Sequence, residues 1–222
     1  MSRAPTYQAT LGRVENYFDR TATQVWAQLT SDAPLSRVRE TVRAGREEMR
    51  ATMIEALGDV RGKRILDAGC GTGAASEVLA ILGAEVVGVD ISPALIDIAR
   101  ERLPVQLRDQ VTFEAGDMLA DRGAFDAVLA MDSLIYYSRP DLLRALDALG
   151  RMAPKVAFTV APRSAFLMAF WYAGKLFPRR DRSPVMVPQD LAALEAAGAQ
   201  YQRTVKSGFY TSACLTWEGG GD

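Results

Sequence analysis

Apolar, β-branched runs alternate with helical patterns from Lys63 onward, which predicts an α/β architecture: a mostly parallel sheet covered by helices on both faces. Two further observations sharpen that expectation. Gly69, Gly71 and Gly73 interrupt the chain between the first apolar run and its helix, where a tight strand-to-helix turn is needed. The last stretch of sequence holds two β-rich runs joined at Ser207-Gly208, which read as a closing antiparallel hairpin.

The strands are expected in the order KRILDA, EVVGVD, VTFEAG, FDAVLAM and KVAFTVA, followed by the hairpin runs YQRTVKSG and FYTSACLTW. Five near-continuous apolar segments are what strands buried on both faces require. Between them, PALIDIARERL and RPDLLRALDALGRM repeat apolar residues at helical spacing, and QDLAALEAAGA precedes the hairpin as a short helix. Ser92-Pro93 supplies an N-cap and a first-turn proline to the helix after the second strand. The terminal GGGD is low-complexity and expected to fray.

The region before Lys63 reads differently. Over residues 35–57, Val38, Val42, Met49 and Met53 fall on one helical face, and Arg39, Arg43, Arg46 and Arg50 form an adjacent basic stripe. An amphipathic helix packed on the body is expected, with the stripe mostly a solvated face. Upstream, Tyr17, Phe18 and Trp26 follow a helix-compatible pattern that Pro34 separates from the next helix. The break Gly58-Asp-Val-Arg-Gly62 marks the expected boundary between a helical extension or lid, residues 1–58, and a core, residues 59–222.

Composition narrows the function classes. The 222 residues are 49% hydrophobic, with 26 Lys plus Arg against 27 Asp plus Glu, so nothing in the overall charge calls for a nucleic-acid partner. Cys70 and Cys214 show no disulfide or metal-ligand spacing, and no run reaches the ~20 apolar residues of a membrane span. A cytoplasmic protein without its own metal site is expected. Histidine is absent altogether, which removes the commonest general base and metal ligand.

Three glycines in five residues are costly in chain entropy for a mere turn, so a ligand approaching bare backbone at a helix N-terminus is the favoured reading. Gly69-x-Gly71-x-x-Ala74, with Asp90 about 20 residues on, also satisfies the dinucleotide pattern of nicotinamide oxidoreductases. Asp67 tilts the balance toward a cationic ligand, because a pyrophosphate would meet its negative charge. Asp67 reads equally well as a structural acid satisfying loop amides. Cys70 fits as a small spacer between glycines.

Asp67-Ala-Gly-Cys-Gly-Thr-Gly73 resembles the acid-x-G-x-G-x-G motif of the class I S-adenosylmethionine-dependent methyltransferases. That resemblance implies a Rossmann-like, seven-stranded, mostly parallel sheet with an N-terminal helical extension. It also implies that the Gly69, Gly71 and Gly73 loop lies against the methionine part of S-adenosylmethionine, that Asp90 takes both ribose hydroxyls and that Asp117 with Met118 holds the adenine, with Asp67, Ile91 and Met131 as further cofactor contacts. S-adenosylhomocysteine would be the product.

A wider resemblance, from about Val14 to Trp217, is to the magnesium-protoporphyrin IX O-methyltransferases of chlorophyll and bacteriochlorophyll synthesis. It is carried by Tyr17-Phe18-Asp19 followed by Trp26, by Val42-Arg43-Ala44-Gly45, by Asp132-Ser-Leu-Ile-Tyr-Tyr137, and by the segment from Thr159-Val-Ala-Pro-Arg163 through Leu176-Phe-Pro178. The resemblance implies methyl transfer to a porphyrin propionate, with Tyr17 and Tyr136 as candidate catalytic residues and Arg43, Tyr137, Arg163, Phe166 and Phe170 as candidate substrate contacts. A porphyrin needs an apolar surface and cationic partners, which a capping segment at 163–188 with Arg163, Arg179, Arg180 and Arg182 would supply. The same apolar and basic mixture reads alternatively as peripheral membrane contact, and the resemblance implies substrate handover by a magnesium-chelatase subunit. Tyr136 and Arg46 stand where many relatives carry histidine, so roles of those histidines do not transfer. Tyr136, with an ordinary pKa near ~10, is a poor base at neutral pH. Other readings are a methyltransferase for a different small acceptor, a nicotinamide-dependent oxidoreductase and a silent cofactor-binding module.

Overall fold

The computed structural model describes residues 10–12, 37–163 and 186–220. Its elements are α1 (Arg37–Leu57), β1 (Arg64–Ala68), α2 (Ala74–Ile81), β2 (Glu85–Asp90), α3 (Pro93–Arg102), β3 (Val111–Ala115), β4 (Ala127–Ala130), α4 (Arg139–Met152), β5 (Lys155–Val160), α5 (Leu191–Glu195), β6 (Gln200–Ser207) and β7 (Tyr210–Glu218). A seven-stranded sheet runs in the order β3-β2-β1-β4-β5-β7-β6. Strands β1 to β5 are parallel, and β7 enters antiparallel between β5 and β6. The expected closing hairpin is therefore present, turning at Gly208, whose φ of 57° only glycine adopts freely. That antiparallel insertion separates the sheet from the dinucleotide-binding order 3-2-1-4-5-6.

Alternation along the strands sorts the core into two layers. Ile65, Val86, Leu129, Ala157 and Cys214 face one side, packed with Met49 and Met53 of α1, Leu79 of α2 and Ile96 of α3. Leu66, Val87, Val128, Phe158 and Leu215 face the other, with Leu142, Leu146 and Leu149 of α4 and Leu194 of α5. Small residues at 157 and 214 leave room beneath α1 for the two methionines, both fully buried. The predicted apolar stripe of α1 thus becomes part of the central core.

A second set of contacts fixes α1 along its length. Ser207 Oγ donates to the carbonyl of Thr41 at 2.7 Å, and Arg203 pairs with Glu48 at 2.7 Å. Between them, Gly45 is buried against the hairpin: a methyl group there would lie 2.7 Å from Cδ1 of Tyr210 and 2.9 Å from Cβ of Ser207. Positions 41, 45 and 48 share one helix face, and glycine at the middle one lets the Tyr210 ring approach the helix backbone.

The remaining starts and stops follow local chemistry. Ser92, Ser138 and Asp190 each cap a helix by accepting from the amide three residues on, and the first two are followed by proline within the first turn. No helix among the described residues is long and apolar enough to cross a membrane. Because Met53 is fully buried between α1 and the sheet, Met53→Ala should destabilise the protein by about 2–5 kcal/mol. Urea unfolding followed by circular dichroism measures this; a loss below about 1 kcal/mol would show that α1 contributes little to the core.

Candidate functional site

The sheet order reverses between β1 and β4, and the carboxyl ends of parallel strands on either side of such a reversal leave a crevice. A cavity of about 620 Å³ opens there, within the range of small-molecule sites. Its wall includes Asp67, Gly69 and Gly71 from the turn after β1, Asp90 and Ile91 at the end of β2, Gly116 and Met118 after β3, and Met131 to Ser133 after β4, with Tyr136 and Tyr137 nearby. Opposite them stand Arg43, Arg46, Glu47 and Arg50 of α1.

The three glycines of the turn serve different ends. Gly69 (φ 84°) approaches Ser133 so closely that a methyl group would collide with its Cβ, and at Gly73 (φ 81°) one would lie 2.7 Å from the Phe113 ring. Only Gly71 has open space around its α-carbon. Gly69 and Gly71 belong to the cavity wall; Gly73 faces the packing of α3 and β3 instead. Much of the glycine requirement is therefore packing and left-handed backbone, with close ligand approach concentrated at Gly71.

Asp90 is held in the wall by two backbone amides. Its Oδ2 accepts from the Gly71 amide and its Oδ1 from the Ser92 amide, both at 2.9 Å. A carboxylate offers about four lone-pair sites, and the two backbone amides fix this one at the cavity edge in an orientation suited to a vicinal diol. Asp67 is almost fully buried and accepts from Ser76 Oγ at 2.6 Å. Burial pushes its pKa up to about 6, and the neighbouring Asp90 adds to that rise. Asp117 turns its Oδ1 to the Leu119 amide at 2.9 Å, while its neighbours Gly116 and Met118 reach the cavity. Cys70 is buried, and its thiol is held far above its usual range by desolvation, as a spacer would be.

The helix side corrects one expectation. Arg39 is exposed, but Arg43, Arg46 and Arg50 are half-buried cavity residues, so the basic stripe is not a solvated face. Arg46 Nη1 donates to Asp132 Oδ2 at 2.5 Å, and burial, with Arg46 nearby, holds Arg50 below its usual pKa. Arg50 leans over the start of α2, within 3.5 Å of the Ala74 carbonyl. Asp132 sits in the left-handed region (φ 55°) and accepts from Tyr210 Oη and Thr159 Oγ1 at 3.2 Å each, while its own amide donates to Thr159 Oγ1 at 2.7 Å. Arg46, Asp132 and Tyr210 carried no site assignment in the sequence, although Asp132 opens one of the motifs that carry the family resemblance and Arg46 directly follows another.

The other candidates divide. Tyr136 is half-buried in the wall, whereas Tyr137 is 2% exposed and belongs to the apolar core, with Gln189 Nε2 donating to its carbonyl at 3.0 Å. Arg163 is exposed and outside the cavity wall. Tyr17, Phe166, Phe170, Arg179, Arg180 and Arg182 lie outside the described residues. Among the described residues no group of three or more His, Cys, Asp or Glu could hold a metal ion.

The wall fits S-adenosylmethionine: a bare backbone position at Gly71, a preset carboxylate at Asp90 and a buried acid at Asp67 favour a nucleoside bearing a cation. Comparison with known proteins agrees. Residues 130–218 match the family model described as magnesium-protoporphyrin IX methyltransferase C-terminus, and residues 65–154 match a methyltransferase domain. The chain is 55% identical to the magnesium-protoporphyrin O-methyltransferase of Rhodobacter capsulatus, over 95% of this chain and 97% of that one. It is 29% identical to the Synechocystis protein of the same name over 74% of each. The crystal structure of magnesium protoporphyrin IX methyltransferase from Synechocystis PCC 6803 with bound SAH superposes with a TM-score of 0.78 at 27% identity, covering 91% of this chain and 96% of that one.

Asp67 generates a pH-dependent prediction. The folded protein keeps its proton up to about pH 6, whereas an unfolded chain releases it near ~3.9. Folded protein then binds more protons than unfolded across that window, so this group lowers stability as pH rises from ~4 to about 6, with no further change above. Asp67→Asn should gain on the parent protein over that interval by roughly 2 kcal/mol. Urea titrations of both proteins at pH 4, 5, 6 and 8 check it, and a constant difference would contradict the assignment.

Proposed function

This chain belongs to the magnesium-protoporphyrin O-methyltransferase family, and from that premise we propose that its cavity divides the reaction between an acidic, cofactor-holding side and a basic, substrate-holding side. The protein is an S-adenosylmethionine-dependent methyltransferase of (bacterio)chlorophyll biosynthesis, acting on magnesium-protoporphyrin IX. Its cofactor supplies a methyl group on a sulfonium, which passes to a propionate oxygen to give the methyl ester and S-adenosylhomocysteine.

The observation that carries the proposal is the meeting of both signs of charge in one cavity, with Asp67 and Asp90 at the strand ends and Arg43, Arg46 and Arg50, alongside Glu47, on α1. Asp90 takes the ribose hydroxyls. Ile91, Met118 and Met131 give the adenosine an apolar surround, and Gly69 and Gly71 border the methionine portion. Asp67 contributes a negative potential beneath the cation without contacting it as a base. The arginines of α1 receive carboxylates, which a guanidinium fork matches in shape and charge.

No residue need remove a proton. A propionate titrates near ~4.3, so at neutral pH it is already an anion. Charge diminishes as the anionic oxygen and the cationic sulfonium react, and a cavity that excludes water favours that step. Tyr136 in the wall, and Tyr17 by resemblance, are hydrogen-bond donors that orient the attacking carboxylate. Orientation of this kind accounts for roughly 7–11 kcal/mol in favourable cases. Phe166, Phe170 and the cavity-bordering Tyr137 are substrate contacts in the same proposal, with the segment 163–188 as cap; Arg163, exposed and outside the cavity wall, is not given that role. Handover by a magnesium-chelatase subunit, which rests on the family resemblance alone, and cytoplasmic residence complete it, with peripheral membrane contact that the apolar and basic composition of residues 165–182 supports. The magnesium is part of the substrate.

With labelled S-adenosylmethionine, methyl transfer should occur to magnesium-protoporphyrin IX and not to metal-free protoporphyrin. Equilibrium titration should find tight S-adenosylhomocysteine binding and none of NAD. Asp90→Ala should weaken S-adenosylhomocysteine binding by ~1–3 kcal/mol, the worth of charged hydrogen bonds lost. Unchanged affinity in that variant would remove Asp90 from the ribose site.

A further inference from the structure

We propose that Arg46 is a specificity-determining carboxylate receptor for the substrate and that Asp132 is the positioning residue that aims it, through a cluster assembled from four elements of the fold. The inference deepens the proposed function and rests on it. Arg46 comes from α1, Asp132 follows β4, Thr159 lies on β5 and Tyr210 on β7. Asp132 Oδ2 accepts from Arg46 Nη1 at 2.5 Å, and Oδ1 accepts from Tyr210 Oη and Thr159 Oγ1 at 3.2 Å each. Arg46 and Asp132 are 18% and 8% exposed and both line the cavity.

Three features set this cluster apart from an ordinary ion pair. Asp132 is in the left-handed region at φ 55°, a conformation that costs a non-glycine residue energy and persists only where surrounding contacts enforce it. Tyr210 reaches it because Gly45 lets the ring lie against the helix one residue before Arg46, so the same close approach places both donors. Finally, Asp132 holds Arg46 through Nη1 in a partly desolvated cavity wall, and a guanidinium carries five N–H donors in a planar fork, so one carboxylate at Nη1 does not by itself saturate it. Tyr210 stays protonated as a donor, since burial and the adjacent Asp132 push its pKa well above the usual tyrosine range. A dicarboxylate substrate offers the second anion that such an arginine accommodates.

The loop that begins at Asp132 continues through Ser133 to Tyr136, both in the wall. Ser133 Oγ is buried and finds no partner among the described residues. Anchoring Asp132 to Arg46 therefore fixes the start of a loop whose next side chain, Ser133, packs against Gly69 of the glycine turn.

The test compares two ligands by fluorescence quenching: magnesium-protoporphyrin IX, with two carboxylates, and its dimethyl ester, with none. Arg46→Gln should weaken the first by roughly ten- to a hundredfold, the worth of a charged hydrogen bond, and leave the second unchanged. Arg46→Lys should recover part of the loss, since the charge returns without the planar fork. Asp132→Asn should raise the KM for the porphyrin more than it lowers kcat, with S-adenosylhomocysteine affinity kept. Equal weakening of diacid and diester by Arg46→Gln, or no change in either, would overturn the proposal. Failure of the parent protein to bind S-adenosylhomocysteine or to methylate the porphyrin would instead overturn the functional reading, and is measured separately.

Discussion

An anionic nucleophile and a cationic methyl donor must lie against each other in one cavity without either being captured by the protein's own ions, and the arrangement of charge around the cavity follows from that constraint. Three of the ions in the wall are held by neighbours of known geometry. Asp90 divides its two oxygens between the Gly71 and Ser92 amides, so it is aimed before any ligand arrives. Asp67 is tied to Ser76, and burial weakens its hold on full charge. Arg46 is tied to Asp132. Pre-engaged ions of this kind need little reorganisation on binding, which is where fixed dipoles and charges outperform water.

Helix α1 is the element that makes the basic side possible, and its sequence serves three surfaces at once. Met49 and Met53 enter the core, positions 41, 45 and 48 follow the β6–β7 hairpin, and positions 43, 46 and 50 face the cavity. A glycine inside a helix costs roughly 0.5–1 kcal/mol relative to alanine. At Gly45 that cost is offset by packing against Tyr210 and Ser207 that no side chain would permit. The helix that supplies the arginines is thus clamped to the last two strands, and the antiparallel end of the sheet contributes to the site through Tyr210.

Features governed by local periodicity were readable in the sequence. The order of strands and helices, the closing hairpin and the Ser92-Pro93 cap that steadies the end of β2 all follow from spacing within a few residues. Features governed by distant contacts were not. Arg46 meets Asp132 across 86 residues and Tyr210 meets it across 78, so although Asp132 and Arg46 adjoin recognisable motifs, nothing in their neighbourhoods says that they meet. The basic stripe of α1 looked solvated because arginine spacing alone does not say what a helix face will meet. Gly73 looked like a ligand position because a residue that must avoid Phe113 and one that must admit a nucleotide are written with the same letter.

The chemistry explains why such a site works with no histidine in the chain. A carboxylate acceptor arrives ionised at neutral pH, and its product is a neutral ester, so no proton has to be taken up or handed on. The wall is consistent with that economy. Cys70 and Tyr210 are both held protonated by burial, and Asp67, at about 6, titrates below the neutral range where the nucleophile is already charged. A strong base beside the sulfonium would compete for the methyl group or screen the carboxylate from it. A protein that instead presents neutral donors and engaged ions leaves the substrate oxygen as the most available nucleophile in the cavity, and alignment of that oxygen becomes the step on which selection can act.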